Sequence, residues 1–246
     1  MVPVDPDIAS VAALIADNSR ALILKTLCDG RPSTGSALAA EAGIGASTAS
    51  AHLAKLVDAR LVTVVRAGRT RRYRLARPEV AAALEALAAL AAPLPVRSLR
   101  QSTRVAALRR SRTCYDHLAG DLGVRLMRAL LDRGHLTGGD GLHHPDRAVL
   151  DRESAPGTDI HYELTPSGAT ALTALGVQIP TTRRPLVRYC VDWTERRHHL
   201  AGALGAAITT RLHTLDWIRH GSTPRVIHLT PAGRVHLPDC LGVTLD

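Results

Sequence analysis

The sequence predicts a fold that is mainly α with small β wings: helices closed by a two-stranded hairpin, then a duplicated α/β region. Three observations predict it. Apolar residues recur at helical spacing up to position 58, a β-branched run with a return strand follows at 61–75, and one composite motif occurs twice beyond residue 113. A chain of 246 residues is room for one large domain or two small ones, and it buries enough apolar surface to stand without staples.

Asp7 to Ala16 places Ile8, Val11, Ala12 and Ile15 at i, i+3, i+4, i+7, a helical set. Asn18 and Ser19 offer capping oxygens for a second helix, Arg20 to Cys28, closed by Asp29-Gly30. A short helix runs from about Thr34 to Ala42 and stops at Gly43. The next, Ser47 to Asp58, turns Leu53, Leu56 and Val57 inward. Leu61-Val62-Thr63-Val64-Val65 is strand-like, Ala67-Gly68-Arg69-Thr70 is a turn, and Arg72-Tyr73-Arg74-Leu75 returns. Pro78 opens an Ala/Leu-rich helix that extends to about Ala92. Helices followed by such a hairpin form a winged helix, so residues 1–92 read as an N-terminal winged helix-turn-helix.

Pro93-Leu94-Pro95 sets the domain boundary. Residues 93–112 form a basic linker or helix, with six arginines and no acid from Arg97 to Arg112. Residues 113–246 then hold an internal repeat, in units 113–180 and 189–246. The first reads Cys114-Tyr115-Asp116, His117-Leu118-Ala119-Gly120-Asp121-Leu122-Gly123, and later Leu164-Thr165-Pro166-Ser167-Gly168. The second reads Cys190-Val191-Asp192, His199-Leu200-Ala201-Gly202-Ala203-Leu204-Gly205, and later Leu229-Thr230-Pro231-Ala232-Gly233, with Trp193 to His198 inserted. In both, Thr-Pro suits an N-cap followed by a first-turn proline, just after strand-like His161–Leu164 or Val226–Leu229. The expectation is a C-terminal duplicated winged-helix-like α/β region that serves as a sensor.

Composition narrows the function. Apolar residues are 46% and charged residues 22%, which is globular rather than disordered. No apolar run approaches the roughly 20 residues that span a bilayer. The opening Met1-Val2-Pro3-Val4-Asp5 lacks a signal peptide's pattern, so no membrane association and a cytoplasmic location are expected. Lys+Arg number 31 against 22 Asp+Glu, a net +9 suited to phosphate-bearing partners. Two Trp, four Tyr and no Phe disfavour single-strand binding by base stacking.

Gly45-Ala46-Ser47-Thr48-Ala49-Ser50-Ala51-His52-Leu53-Ala54-Lys55-Leu56 places small hydroxyl residues at the front of a helix that can sink into a major groove. Ser47, Thr48, Ser50, His52 and Lys55 are its candidate DNA-binding residues; as a bland alternative, Ser47 and Ser50 are capping and surface groups. The hairpin carries seven arginines from Arg60 to Arg77 and no acid, a density that calls for a polyanion. Arg66, Arg69 and Arg71 are the wing candidates. These segments, with Asn18-Ser19-Arg20-x-Leu22-Ile23-Leu24, resemble the ArsR/SmtB family of bacterial repressors over roughly residues 7 to 92. The resemblance implies double-stranded DNA with an inverted-repeat operator as partner. It also implies a homodimer formed through the first and last helices, Asp7 to Ala16 and Glu79 to Ala92. Burial of the last helix against the second domain would equally explain its apolar character.

Many members of that family release DNA on binding a metal, through a Cys-x-Cys pair on the third helix or Asp/His on the dimer helix. Here the third helix reads Ser36-Ala37-Leu38-Ala39 and the dimer helix has neither His nor Asp, so those sites do not carry over. The repeat supplies another candidate set: Cys114, Asp116, His117, Cys190, Asp192 and His199, with His198 beside them. Packed about a pseudo-two-fold axis, these would suit a divalent thiophilic metal such as zinc or cadmium. Two other readings stay open: buried structural cysteines with capping aspartates, and a redox thiol pair. Tyr115, Tyr189 and Trp193 beside the cysteines would line an apolar ligand pocket or belong to the core. Cys28 and Cys240 read as structural, and His143-His144 as loop. A ligand-responsive repressor is the leading function, with an effector-independent or redox-responsive DNA-binding protein as the alternative. No catalytic residues are assigned, because no glycine-rich cradle or nucleophile elbow accompanies the Cys/His pairs.

Overall fold

The computed structural model describes residues 5–28, 30–68, 70–91, 99–151 and 156–244. The chain divides into an N-terminal unit, Met1–Leu84, and a C-terminal unit, Glu85–Asp246. The Pro93-Leu94-Pro95 break, Arg69 and Asp29 lie outside the described residues.

In the N-terminal unit the helices are α1 (Ile8–Ile15), α2 (Asn18–Leu27), α3 (Gly35–Ala42) and α4 (Ala46–Asp58), with strand β1 (Ser33–Thr34) between α2 and α3. Strands β2 (Val62–Ala67) and β3 (Thr70–Leu75) form the wing, and α5 (Pro78–Leu90) runs across the division between the units. Caps set the boundaries. Asp7 and Asp17 accept from the backbone N–H of Ser10 (3.0 Å) and Arg20 (2.9 Å), so Asp17 rather than Asn18 or Ser19 opens α2. Thr34 caps α3, and Gly43 ends it in the left-handed region at φ 67°. Ile23, Leu24, Leu27, Leu38, Leu53 and Leu56 form the core beneath α4, whereas Val57 is only half-buried.

The wing pairs antiparallel from Val62 opposite Leu75 to Ala67 opposite Thr70, and β1 joins its other edge with Ser33 opposite Tyr73. Two residues carry no periodic signal, which is why β1 was invisible in the sequence.

The C-terminal unit opens with α6 (Leu99–Arg110) and then runs through one order of elements twice. The first copy is β4 (Arg112–Cys114), β5 (His117–Ala119), α7 (Gly120–Asp132), β6 (Leu136–Thr137), β7 (Glu163–Leu164) and α8 (Pro166–Ala174). The second is β8 (Arg188–Val191), β9 (His198–Ala201), α9 (Gly202–Thr214), β10 (Ile218–His220), β11 (Ile227–Leu229) and α10 (Pro231–His236). Each copy is a hairpin, a long helix, a second hairpin and a closing helix. Thr165 and Thr230 cap the closing helices, each accepting at 3.0 Å from the glycine N–H three residues on. The copies interlock: α7 lies against β9, α9 against β5, and β5 against β9.

The repeated His-Leu-Ala-Gly-x-Leu-Gly motif has a physical reason at each position. The leucines enter a shared core with Met127, Leu130, Ile208 and Leu212. Its alanines, Ala119 and Ala201, cluster with Cys114 and Cys190. Gly120 and Gly202 turn hairpin into helix at φ 74° and 81°, which disfavours any side chain. The closing glycines let each long helix sit tight against its own hairpin: a Cβ on Gly123 would be 2.5 Å from the Leu118 carbonyl oxygen, and one on Gly205 2.6 Å from that of Leu200.

Candidate DNA-reading helix and Cys/His centre

Helix α4 buries Ala49, Leu53 and Leu56 and leaves Ser47, Thr48, Ser50 and Lys55 exposed. The face between the apolar positions is therefore narrow, small and open, as a groove-entering helix needs. His52 departs from this set. Its side chain is 16% exposed, with Nδ1 3.4 Å from an Arg20 guanidinium nitrogen and 3.9 Å from Asp17. Arg20 in turn donates to the carbonyls of Leu14 (2.6 Å) and Ala13 (3.0 Å) at the end of α1. His52 thus leans from α4 toward α2 and is half-buried where its neighbours on that face are exposed.

On the wing, Arg66 and Arg71 are exposed and directly opposite each other across the ladder. Like charges in that position repel, so the pair stores a preference for an anionic partner. Arg71 lies over the Tyr73 ring at 6.0 Å, and Arg72 and Arg74 are exposed beside it.

In the C-terminal unit the repeat brings four of the six candidate ligands together. Cys114 faces His117 across the first hairpin, and Cys190 faces His199 across the second. Stacking β5 against β9 superposes these cross-strand pairs. One donor atom from each of Cys114, His117, Cys190 and His199 then lies within 4.8 Å of the other three. All four residues are at most 5% exposed. Cys190 Sγ is 3.7 Å from His117 Nε2, and the two imidazole centroids are 5.2 Å apart. No disulfide joins any of the cysteines.

Asp116 and Asp192 stand behind the histidines instead of joining the ligand cluster, a correction to the expected ligand set. Asp116 Oδ1 is 3.2 Å from His117 Nδ1, and Asp192 Oδ2 is 3.2 Å from His199 Nδ1. Each imidazole therefore turns Nδ1 to a carboxylate and leaves Nε2 for the cluster, the orientation found behind metal-bound histidines. Neither nitrogen of His199 has a hydrogen-bond partner of ordinary geometry among the described residues, which leaves buried polar capacity to be satisfied.

The aspartates are fully engaged elsewhere. Asp192 accepts two bonds from Arg112 (2.9 and 2.8 Å), one from the Gly120 N–H (2.7 Å), and two from Thr194. Asp116 pairs with both terminal nitrogens of Arg184. Asp192 is thus held by an arginine of the first copy, and Asp116 by one in the connection that leads into the second. Arg112 ends the basic segment 93–112 expected as a linker or helix, yet it lies in β4 and is 2% exposed. A buried arginine needs a buried acid, and the aspartate of a repeat was the available signal.

Electrostatics fit a cation centre. Burial disfavours charge on His117, but the Cys114 thiolate and the bond to Asp116 outweigh it and raise the imidazole to about 10. His199 is raised too, against burial, by Asp192 and Cys114. Positive charge is thus favoured at both imidazoles, and a metal ion would enter by displacing their protons.

Tyr189 is core and donates to Asp151 (2.6 Å), while Trp193 is 45% exposed and covers Arg112 at 5.0 Å. Cys28 is buried as expected, whereas Cys240 is exposed.

Comparison with known proteins agrees with the geometry. Residues 17–64 match the family described as bacterial regulatory protein, arsR family. An uncharacterized HTH-type transcriptional regulator of Bacillus subtilis (strain 168), YdfF, is 37% identical over 244 residues, covering 98% of this chain and all of the relative. Among solved structures, NolR from Sinorhizobium fredii is 30% identical, with 37% of this chain and 96% of that one covered (TM-score 0.32). A homodimeric winged helix-turn-helix DNA-binding domain, Mb0332 from Mycobacterium bovis, is 28% identical over 37% of this chain and 89% of that one (TM-score 0.32). Among the described residues no helix is long and apolar enough to cross a membrane. The capped helices, the arginine-edged wing and the full-length relative together place this chain in the arsR family of DNA-binding transcriptional regulators, with a duplicated α/β extension at its C-terminus.

Proposed function

We propose that this regulator is a cytoplasmic homodimeric repressor, released from an inverted-repeat operator when a thiophilic divalent ion such as zinc or cadmium binds Cys114, His117, Cys190 and His199. One observation carries the reading: four buried soft and borderline donors, far apart in sequence, meet within 4.8 Å with a carboxylate behind each imidazole. Two thiolates and two imidazoles in a closed shell suit a tetrahedral ion, and the thiolates favour a soft one. In this reading residues 1–92 bind DNA and dimerise, 93–112 link, and 113–246 sense. Exposed Ile8 and Val11 on α1, and separately exposed Leu87 and Leu90 on α5, are apolar residues available to a partner copy.

The test is operator binding by fluorescence anisotropy with and without zinc or cadmium. Weakening by either ion supports release. Binding indifferent to both ions but lost with oxidant would transfer the switch to a Cys114–Cys190 disulfide, and indifference to all three would leave a constitutive binder.

The DNA face makes its own prediction. Arg66→Ala with Arg71→Ala should weaken binding to operator and random duplex alike, lowering the salt slope by about 2 if both contact phosphate. Thr48→Ala should cost more on the operator than on random DNA. His52→Ala, acting through the α4–α2 contact, should cost both equally.

A further inference from the structure

We infer that His143, Asp151 and His198 form a second, thiolate-free site for a divalent first-row transition ion such as cobalt, nickel or zinc. One donor atom from each lies within 4.8 Å of the other two. His198 is 1% exposed and Asp151 4%, while His143 is half-buried and offers a route for entry. His198 Nε2 and His143 Nδ1 are buried without a hydrogen-bond partner among the described residues. Two orphaned imidazole nitrogens beside a buried carboxylate are the donors of a two-histidine, one-carboxylate centre with open coordination positions.

The groups behind the donors are already in place. Tyr162 Oη is 2.8 Å from His198 Nδ1 and accepts from the Gly141 N–H at 3.1 Å, which fixes the ring with Nε2 inward. Tyr189 donates to Asp151 Oδ2 at 2.6 Å, and the Thr158 N–H donates to Oδ1 at 2.8 Å. Bonds of this kind hold metal ligands in their working orientation.

The site arises where the two copies differ. In the first copy β6 and β7 are joined by residues 138–162, against 221–226 between β10 and β11 in the second. The second copy instead lengthens the turn of its first hairpin, 192–197. These two insertions meet: the His198 N–H donates to Gly141 O (2.9 Å), and Leu142 bridges Arg197. Successive residues of a strand point to opposite faces, so His199 enters the Cys/His centre and His198 the second site. The thiol site is built from what the copies share, and this one from what each has added.

The apo full-length chain should be titrated with Co(II), counting bound ion by equilibrium dialysis and following the thiolate-to-cobalt charge-transfer band, which reports the cysteines alone. Wild type should bind two equivalents. Cys114→Ser with Cys190→Ser should bind one and lose the band. His143→Ala, a change on a half-buried loop, should bind one and keep the band, as should Asp151→Asn. A wild-type chain whose single bound equivalent carries the thiolate band, or a His143→Ala chain that binds as many equivalents as wild type, overturns the inference. Loss of one equivalent in His143→Ala without any wild-type band would sustain this site while refuting the Cys/His reading.

Discussion

Replacing Cys114 and Cys190 with serine should leave operator affinity within about twofold of wild type and abolish its response to zinc and cadmium. The exposed residues of α4 and the wing arginines belong to the N-terminal unit, and both cysteines belong to the C-terminal one. Each thiol is buried beside an imidazole, so a serine hydroxyl can occupy the space and keep a polar contact. What disappears is the pair of soft donors. Two imidazoles alone hold a soft divalent ion far more weakly than a complete four-ligand shell. A wild-type response in the usual range of allosteric coupling would weaken operator binding by about 5- to 150-fold at saturating ion. The same ion should raise wild-type stability by about 4 kcal/mol at a thousand times its Kd, seen as a thermal shift that the double variant lacks. If the variant still releases DNA on zinc addition, the sensing site lies elsewhere.

What the sequence disclosed, and what it hid, divides along the reach of each signal. Thr34 with Gly43, Thr165-Pro166 and Thr230-Pro231 are local devices, so the helices they bound were legible to within a residue or two. The duplicated motif was legible because its residues repeat in order. Its three-dimensional consequence, Cys114 beside Cys190, depends on how two hairpins stack and is not written in spacing. The DNA face shows the same limit. Positions 48, 52 and 55 share one side of a helix, yet His52 is drawn aside by Arg20 and Asp17, partners over thirty residues away. The aspartates could be read as ligands or as helix caps, since residue type cannot tell these tasks apart; Asp192 does accept from the first N–H of α7. The loop histidine His143 was passed over because its partners, Asp151 and His198, come from different insertions.

Asp192→Ala should be the most damaging single substitution in the C-terminal unit, at about 3–5 kcal/mol, the usual cost of removing one partner of a buried ion pair. The carboxylate is fully buried and Arg112 nearly so, so removing the acid strands a buried guanidinium. The loss reaches further than one pair. Asp192 also caps the first N–H of α7 from the opposite copy and holds the turn at Thr194. In a unit of this size the cost corresponds to a fall of roughly 10 °C in Tm. Burial works against the charge of Asp192, but the bond to His199 and the Arg112 guanidinium outweigh it and hold the carboxyl far below 3.8. A depressed folded value means that the carboxylate's own share of the stabilisation is complete above about pH 4 and fades only as pH falls below it. The share it gives by raising His199 is full below about pH 6.5 and declines as pH rises through the raised imidazole value, so the variant's deficit should be largest near pH 5–6 and should not grow toward pH 8. Asp116 provides the internal comparison. It makes the matching bridge to Arg184, but its side chain is 27% exposed and that of Arg184 34%, so water can replace either partner. Asp116→Ala should therefore cost much less stability while still weakening zinc by about 10- to 100-fold through His117. Equal losses of stability at the two positions would show that the two bridges are not ranked by burial, and would remove Asp192 as the bond that locks one copy to the other.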